Sequence, residues 1–433
     1  MASVRDTKKI LLILASKLGY QTRGFAEAAE RLGIEVRFGT DRCHQLEDPW
    51  ADGALPLHFE NPQQAAQEIL RRWNAEPPQA ILALGDRPTA AAAYAARTLG
   101  IAGNPPEAVE ASRNKLRQRE ILSAAGLQVP GFFSFAVSDA VSNVVSRVQL
   151  PCVVKPLALA ASQGVIRAND PSDFERAVER IRALLASPEI QALREPLSDR
   201  ILVEGYIPGR EVAVEGLMER GRLRVLAIFD KPDPLEGPYF EETIYVTPSR
   251  LPEENQAAVR DCASRAVCAL GLTTGPIHAE FRVNASGPWA LEVAPRPIGG
   301  LCSRALRFGS EQMLLEELLV RHALGLGGSD VEREDVASGV MMIPVPRSGI
   351  FDGVQGVEEA ERIPGIGEIR ITARLRDYVA AWPEGSSYLG FIFARGQSPA
   401  EAEAALRAAH AMLRFKFSPR LPVEHPATRR VRA

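Results

Sequence analysis

Short apolar runs alternate with amphipathic or alanine-rich segments along the first hundred residues. The runs at 10–14, 35–38 and 80–83 predict strands, because they are brief and rich in large or β-branched apolar side chains. The segments at 24–32, 63–73 and 89–99 predict helices. Such alternation is typical of βαβ units, so we expect a parallel sheet here. The loop at 15–20 lacks G-x-G-x-x-G, so a dinucleotide-binding site is not supported.

The pattern changes after residue 200. Strands are predicted at 200–214 (broken by a turn at Pro208-Gly209), 225–229 and 239–246, and helices at 253–270 and 311–323. Strands at 339–345 and 388–394 then precede a helix at 399–413, which predicts a small C-terminal α+β domain. The sequence therefore indicates an α/β and α+β multidomain protein.

A hairpin with one carboxylate on each strand is predicted around Ser286. The turn signal is Asn284-Ala-Ser-Gly-Pro288, and its flanks are apolar. A hairpin centred near Ser286 sets Glu280 opposite Glu292, with Cβ atoms about 4.5–5.5 Å apart. Like charges that close repel unless a cation lies between them, and a divalent ion with oxygen ligands is the simplest partner. Two solvated surface glutamates are the alternative.

Composition excludes several classes of protein. A chain of 433 residues with 46% apolar and 24% charged residues is typical of a multidomain globular protein. The net charge of −3 argues against nucleic-acid binding, and no apolar run is long enough to predict a membrane span. The five cysteines show no metal-binding spacing, so we expect reduced thiols and a cytoplasmic location. The basic end Arg429-Arg-Val-Arg432 is interpreted as a solvated tail.

Two segments indicate anion binding. The basic stretch from Ser112 to Glu120 predicts a helix with Ser112 as its N-cap, although a solvated basic face is an alternative. The strand at 150–156 ends with Lys155, and a buried ammonium group is costly unless an anion pairs with it. The loop at 157–165 is rich in small residues, which let backbone N–H groups approach an anion. No G-x-x-x-x-G-K-[ST] loop occurs.

Several motifs combine with these segments in one order. They are Asn114-Lys115, Val154-Lys-Pro156, Ser162-Gln-Gly164, Val203-Glu-Gly-Tyr-Ile207, Gly209-Arg-Glu211, His278-Ala-Glu280 and Leu291-Glu-Val-Ala-Pro-Arg-Pro-Ile-Gly-Gly300. In this order they resemble the ATP-grasp superfamily of ligases over about residues 105–325. The segment Phe240-Glu-Glu242 and the Glu-x-x-Pro-Arg-Pro-x-Gly-Gly pattern are most similar to the L-amino acid ligases, or dipeptide synthases.

The resemblance implies three domains. These are an N-terminal parallel-sheet α/β domain at 1–104, an ATP-grasp domain at 105–328 with a lid subdomain at about 131–206, and a small C-terminal α+β domain at 329–433.

The resemblance also implies a nucleotide site. Lys115 and Lys155 would contact the ATP phosphates under a closing loop. Magnesium, or alternatively manganese, would bind Glu280 and Glu292. The remaining ATP contacts implied by the resemblance are the loop residues Ser162, Gln163 and Gly164, the adenine-side residues Glu204, Gly205, Tyr206 and Ile207, and the ribose acceptor Glu211.

A substrate site is implied next to the nucleotide. Arg296 would lie by the acyl centre, where Gly299 and Gly300 would give close backbone access. Glu242 would receive the ammonium group of an amino-acid substrate, with an exposed strand glutamate as the alternative. His278 shares a strand face with Glu280, but a satisfied core histidine is the favoured interpretation.

One residue departs from the family pattern. The family commonly has an asparagine two residues after the second glutamate, where this chain has Ala294. The missing side-chain oxygen puts a second metal ion in doubt.

The resemblance implies an ATP-dependent, ADP-forming carboxylate–amine ligase that works through an acyl phosphate. Its substrates would be small-molecule carboxylates and amines, namely L-amino acids joined into a dipeptide or amide. A homodimer is the usual arrangement in such proteins. One alternative is a biotin-carboxylase-like or purine-type carboxylating enzyme that uses bicarbonate; the sequence Ala160-Ala-Ser-Gln-Gly164 weighs against it, since that loop is normally a run of glycines. A non-catalytic ATP-binding module is the other alternative.

Overall fold

The computed structural model describes residues 9–16, 19–41, 54–328 and 330–420. Cys43 and the basic stretch from Arg429 to Arg432 lie outside the described residues. Among the helices in these ranges, none has the length and apolar character needed to cross a membrane.

The strands are numbered in chain order. They are β1 (Ile10–Ala15), β2 (Glu35–Thr40), β3 (Ala54–Pro56), β4 (Ala80–Leu84), β5 (Phe132–Ala136), β6 (Cys152–Pro156), β7 (Ile166–Ala168), β8 (Arg200–Gly205), β9 (Arg210–Glu219), β10 (Arg222–Asp230), β11 (Ile244–Thr247), β12 (Gly275–Asn284), β13 (Gly287–Ala294), β14 (Arg307–Phe308), β15 (Met313–Leu314), β16 (Ala337–Ile343), β17 (Gly349–Gln355), β18 (Ile366–Ile371), β19 (Tyr378–Val379), β20 (Gly390–Gly396) and β21 (Arg414–Ser418).

The helices are numbered in the same way. They are α1 (Tyr20–Arg31), α2 (Pro62–Arg72), α3 (Pro88–Leu99), α4 (Pro106–Arg113), α5 (Lys115–Ala124), α6 (Val141–Val145), α7 (Pro171–Leu185), α8 (Pro188–Gln191), α9 (Glu253–Leu270), α10 (Leu315–Ala323), α11 (Val357–Glu361) and α12 (Pro399–Met412), and a short 3₁₀ turn spans Cys302–Ala305.

The N-terminal region contains the predicted parallel sheet. Its strand order is β3-β2-β1-β4, and every pair is parallel. Neighbouring residues of β1 point to opposite faces: Leu11 and Ile13 pack with α1, whereas Leu12 and Leu14 pack with α2 and α3. Helices therefore cover both faces, which explains why β1 is apolar at all of its positions.

A separate four-stranded sheet lies between residues 132 and 205. Its order is β5-β8-β6-β7, its strands are antiparallel, and α7 packs against it through Phe174, Val178 and Ile181. We call this sheet with α7 the lid sheet. It falls within the lid subdomain expected from the sequence.

One eight-stranded antiparallel sheet forms the centre of the molecule. Its order is β13-β12-β9-β10-β11-β16-β20-β18, so strands from both sides of the predicted boundary at residue 328 belong to it. The junction is the pairing of β11 with β16. One apolar core also joins α1, the central sheet and α10. The architecture is thus a large antiparallel sheet preceded by a parallel-sheet domain and followed by a C-terminal α+β region whose strands extend the large sheet.

Three local predictions were wrong. Ser112 is not an N-cap, because it lies inside α4 and donates to the carbonyl of Ala108; Asn114 caps α5 instead. The strand predicted at 239–246 is confined to β11, since Tyr239 bridges Ile166 of the lid sheet. The helix predicted from 311 begins at Leu315, because Met313 first pairs with Phe308 in a short two-stranded sheet.

The hairpin formed by β12 and β13 confirms the predicted pairing of Glu280 with Glu292. The turn and the register that produce this pairing differ from those expected. The turn is tighter than expected, since Asn284 already pairs with Gly287. A bulge at Leu291 then shifts the register, and this extra residue brings Glu292 opposite Glu280. Without the bulge, the regular ladder would set Leu291 there.

Phe281 anchors this hairpin to the core. It has no exposed surface and lies between the two site positions Glu280 and Arg282. We expect Phe281→Ala to lower the free energy of unfolding by about 3–5 kcal/mol, because the change removes a buried ring and leaves a cavity. Leu375, which is 65% exposed, supplies the control. Leu375→Ala should change the free energy of unfolding by less than about 0.5 kcal/mol. Urea unfolding of both variants checks this, and equal effects would contradict it.

Candidate active site

A cleft opens between the lid sheet and the central sheet, and the empty space along it, open solvent included, is about 770 Å³. Most of the residues predicted from the sequence line it, namely Lys115, Lys155, Ser162, Glu204, Gly205, Tyr206, Ile207, Glu211, Glu242, Glu280 and Glu292. Gln163, Gly164, Arg296, Gly299 and Gly300 are not among the lining residues.

Lysines form one wall of the cleft. Lys155 contacts Glu204 at 2.6 Å, and Arg119 contacts the other oxygen of Glu204 at 2.7 Å. Burial raises the pKa of Glu204, but Arg119 and Lys155 outweigh it and lower this pKa to about 2. Burial lowers the pKa of Lys155, although Glu204 opposes the shift. Lys115 begins α5, and its Nζ donates to the carbonyl of Leu159 at 2.6 Å.

The chain after β8 forms the next part of the wall. The guanidinium groups of Arg167 and Arg282 lie 3.9 and 5.2 Å from the ring centre of Tyr206. Arg282 also donates to the carbonyl of Ile207 at 2.8 Å and to Glu211 at 2.9 Å. These contacts hold residues 205–207 as a rigid edge of the cleft.

A buried lysine that the sequence analysis missed organises the acidic wall. Lys231 Nζ lies 2.8 Å from Glu211 and 2.8 Å from Glu280, and it also contacts Glu242. Burial lowers the pKa of Lys231, but the carboxylates raise it well above its ordinary value. We call these four residues the Lys231 cluster. One oxygen from each of its three glutamates lies within 4.8 Å of the others, a spacing that suits a cation.

Two carboxylates of the Lys231 cluster, Glu242 and Glu280, differ in their affinity for protons. Burial raises the pKa of Glu242 to about 7, although Lys231 opposes the shift, and the Tyr245 hydroxyl donates to Glu242 at 2.6 Å. Burial also raises the pKa of Glu280, but Lys231 and His278 outweigh it and lower this pKa well below its ordinary value. Of these two carboxylates, Glu280 is therefore the ionised one, and Glu242 is the one that takes up a proton.

A signal for Lys231 was present in the sequence. Lys231 follows the apolar strand Val225–Phe229 and precedes a proline, as Lys155 follows Val153-Val154 and precedes Pro156. The reasoning that selected Lys155, an ammonium group at the end of a buried strand, applies equally to Lys231.

His278 is both a satisfied buried histidine and a neighbour of Glu280. Its Nδ1 pairs with Glu215, and its Nε2 lies 3.5 Å from Glu280. Burial lowers the pKa of His278, but Glu215 outweighs it and raises this pKa to about 9, so the ring is charged at neutral pH. The other oxygen of Glu215 accepts the backbone N–H of Ile298 at 3.2 Å. This links the hairpin to the segment that carries Gly299 and Gly300.

Arg296 lies where the N-terminal domain meets the central sheet. Its Nε donates to Asp86 at 2.8 Å, just after β4, and its Nη1 donates to the carbonyl of Pro297 at 3.1 Å. Burial lowers the pKa of Arg296, but Asp86 outweighs it, so the guanidinium stays charged. Gly300 has φ +64°, and a Cβ there would lie 2.8 Å from the ring of Phe391, so a side chain is excluded on both counts.

Magnesium fits this donor set. Glu280 and Glu292 line the cleft from paired positions of β12 and β13, and carboxylate oxygens are ligands that magnesium prefers. Ala294, two residues further on, is buried and offers no side-chain oxygen. The acidic pair and the two lysines thus face one space.

Three family models match the chain. One described as an ATP-grasp domain matches residues 148–305, one described as an ATP-grasp N-terminal domain matches 26–103, and one described as L-amino acid ligase C-terminal domain 2 matches 341–418. The first two matches show that the chain carries ATP-grasp domains. The third shows that residues 341–418 match the C-terminal domain of L-amino acid ligases.

Solved and curated relatives agree with this ATP-grasp assignment. The crystal structure of L-amino acid ligase from Bacillus licheniformis superposes with a TM-score of 0.80 and 29% identity, over 95% of this chain and 99% of that one. Alanine–anticapsin ligase of Bacillus subtilis (strain 168) is 28% identical over 48% of this chain and 46% of its own length. The uncharacterized protein y4rH of Sinorhizobium fredii is 26% identical over 75% of this chain and 65% of its own. The chain thus spans about half to two thirds of the length of these two curated relatives.

A pH dependence follows from Glu241, beside the Lys231 cluster. Its Oε1 is buried without a hydrogen-bond partner among the described residues, and burial raises its pKa to about 7 despite a hydrogen bond from Val345. Because the pKa is about 4.5 in the unfolded chain, the neutral form stabilises the fold below that pH, and this stabilisation is lost as pH rises through about 7.

The free energy of unfolding of Glu241→Gln should therefore rise relative to that of the native chain as pH rises. We expect this difference to grow by about 1–2 kcal/mol from pH 5 to pH 8, after allowance for solvent screening. Urea unfolding at both pH values measures the gain. Glu254→Gln, on the exposed side of α9, is the control and should show no such trend. An unchanged difference for Glu241→Gln would refute the buried-carboxyl explanation.

Proposed function

We propose that the protein is an ATP-dependent, ADP-forming carboxylate–amine ligase that joins L-amino acids through an acyl-phosphate intermediate. One observation carries the proposal: Glu280 and Glu292, paired across a hairpin, share a cleft with Lys115 and Lys155. The structural likeness to an L-amino acid ligase over nearly the whole chain supports the choice of substrates.

ATP would lie along the cleft. Its phosphates would meet Lys115 and Lys155, with Ser162, Gln163 and Gly164 in the loop above them. The adenine would lie against residues 204–207. Because two cations occupy the carboxylate of Glu204, we assign the adenine contacts chiefly to the backbone of Gly205 and Ile207 and to the flanking ring of Tyr206. The ribose hydroxyls would be near Glu211.

Magnesium, or alternatively manganese, would be held by Glu280 and Glu292, and when bound it neutralises charge on the transferred phosphate. The low pKa of Glu280 keeps this ligand ionised. Because Ala294 supplies no oxygen, we infer that the ion site has fewer protein ligands than an asparagine there would provide.

The reaction has two steps. A substrate carboxylate oxygen attacks the γ-phosphorus of ATP, the bond to the β-phosphate oxygen breaks, and ADP leaves. Lys115 and Lys155 lower the barrier by positioning the phosphates and neutralising their charge. The amine then attacks the acyl carbon, the bond to the phosphate oxygen breaks, and the ammonium proton is lost. Arg296, fixed by Asp86, would stabilise the negative charge that develops on the acyl oxygen as the amine attacks.

The amino-acid substrate would lie between Glu242 and the Gly299-Gly300 segment. Both oxygens of Glu242 are already engaged, one by Lys231 and one by Tyr245, so an incoming ammonium group would share Glu242 with Lys231. A homodimer and a cytoplasmic location stay predictions.

Amino-acid-dependent turnover tests this function. We expect ATP hydrolysis to ADP and phosphate only when suitable amino acids are present, with one amide formed for each ADP. A pairwise amino-acid screen for phosphate release, followed by mass spectrometry of the product, measures both. Phosphate release with bicarbonate but not with amino acids would instead favour a carboxylating enzyme. Tight ATP binding without turnover across the screen would favour a non-catalytic module.

The paired glutamates give a second test. We expect Glu280→Gln and Glu292→Gln each to lower kcat/KM by at least about 100-fold, because each removes a charge that faces the metal and phosphates. Calorimetric binding of ADP should also lose most of its dependence on magnesium. Glu254→Gln is the matched control and should behave as the native enzyme. Full turnover in either cleft variant would rule out the metal assignment.

A further inference from the structure

The small-residue loop, residues 157–165, ends against the C-terminal region. The backbone N–H of Gly164 donates to the carbonyl of Pro383 at 2.8 Å. The side-chain amide of Gln163 donates to the carbonyl of Glu384 at 2.7 Å. Gln163 and Gly164, which do not line the cleft, are thus bound to a distant part of the chain.

A charged contact lies beside these hydrogen bonds. Arg180, on α7 of the lid sheet, donates through Nε and Nη2 to the two oxygens of Glu384, the second at 2.9 Å. Two parallel charge-assisted hydrogen bonds of this kind fix direction as well as distance. We call residues 382–384 the latch segment, since it contacts both the loop and the helix of the lid sheet.

The latch segment is itself anchored in the molecule. Trp382 is buried, and its ring centre lies 5.0 Å from that of Tyr388. Tyr388 in turn packs on Phe391 of β20, with 6.4 Å between ring centres, and Phe391 is the ring that excludes a side chain at Gly300. The aromatic row therefore joins the latch segment to the central sheet next to the predicted substrate segment.

The lid sheet has a second attachment that does not involve the C-terminal region. The N–H of Arg167 donates to the carbonyl of Pro238 at 2.8 Å, and Arg167 Nη1 donates to the carbonyl of Glu236 at 2.6 Å. This attachment holds β7, whereas the contacts of the latch segment hold the loop. The first half of the loop is held by the N–H of Leu157, which donates to the carbonyl of Arg200 at 3.3 Å, and by Lys115, which donates to the carbonyl of Leu159 at 2.6 Å. In the second half, the turn bonds from Gln163 to Ala160 at 3.3 Å and from Val165 to Ser162 at 3.1 Å are local, so the contacts of the latch segment position that half.

We propose that the latch segment positions the small-residue loop over the cleft and so protects the acyl phosphate from water. This role rests on the proposed ligase function. The reaction it prevents is attack of a water oxygen on the acyl carbon, which breaks the bond to the phosphate oxygen and releases the free acid, phosphate and one proton. ATP is then consumed without an amide. Loops that close over reactive intermediates act in this way.

Charge reversal tests the latch contact, and Glu384→Arg is the cleaner of the two single variants because Arg180 also donates to the Tyr239 hydroxyl. Arg180→Glu and Glu384→Arg each replace attraction by repulsion, and the double variant restores the pair with its charges exchanged. Both substitutions keep the main-chain acceptors of Pro383 and Glu384. Arg176→Glu is the matched control: it is one turn earlier on α7, and its ion pair, with Asp173, stays within that helix.

Hydrogen–deuterium exchange of the full-length protein, without nucleotide, reports the contact directly. We expect the Gly164 amide to exchange at least about tenfold faster in either single variant, because its acceptor moves away. In the double variant, the exchange rate of the Gly164 amide should return to within about twofold of the native rate. In Arg176→Glu, this exchange rate should equal that of the native protein. Unchanged exchange in both single variants, or no recovery in the double variant, overturns the proposal.

Turnover supplies the second readout. With a productive pair of amino acids, the ratio of ADP to amide should rise about three- to tenfold in the single variants and recover in the double variant, since water then competes for the intermediate. A ratio that stays at the native value while Gly164 exchange rises would overturn the protective role. If no amino-acid pair supports turnover, the proposed function fails, and the exchange experiment still decides whether the latch contact holds the loop.

Discussion

The attraction between the Lys231 ammonium and the carboxylates around it makes the acidic side of this site possible. Glu211, Glu242 and Glu280 come from three segments that would repel one another without a buried cation. Removing one partner of a buried charge network typically costs about 3–5 kcal/mol, because the remaining charges lose their compensation. The two carboxylates Glu242 and Glu280 also differ in protonation. Lys231 helps to keep Glu280 ionised, whereas burial raises the pKa of Glu242 to about 7. An ionised carboxylate and a proton-holding acid can therefore lie side by side.

Charge compensation also connects the regions of the chain. Arg296 of the hairpin segment pairs with Asp86 of the N-terminal domain, and Arg180 of the lid sheet pairs with Glu384 of the C-terminal region. Each pair lies at a boundary around the cleft. The residues that line the cleft all lie between Lys115 and Glu292, and these two pairs attach the part of the chain that forms it to the N-terminal and C-terminal parts.

Local patterns in the sequence predicted most elements, and the α9 helix was predicted at both ends because proline and glycine delimit it. The pairing of Glu280 with Glu292 was also predicted, although the bulge at Leu291 that produces it leaves no local signal. The partners of Glu204, Glu242 and Arg296 were not predictable. They are distant in sequence, and only tertiary packing decides which cation meets which carboxylate. Lys231 is different, since the rule that found Lys155 would have found it as well.

The central sheet continues across residue 328, and this affects what happens when the chain is truncated there. A chain shortened at that boundary would lose β16 and expose the hydrogen-bonding edge of β11, together with apolar residues such as Phe229 and Tyr245 that now pack in the shared core. Open edges beside apolar surface pair readily with other chains. The part of the chain before residue 328 should therefore aggregate when expressed alone, because it would lack the C-terminal strands that cover this edge of its sheet.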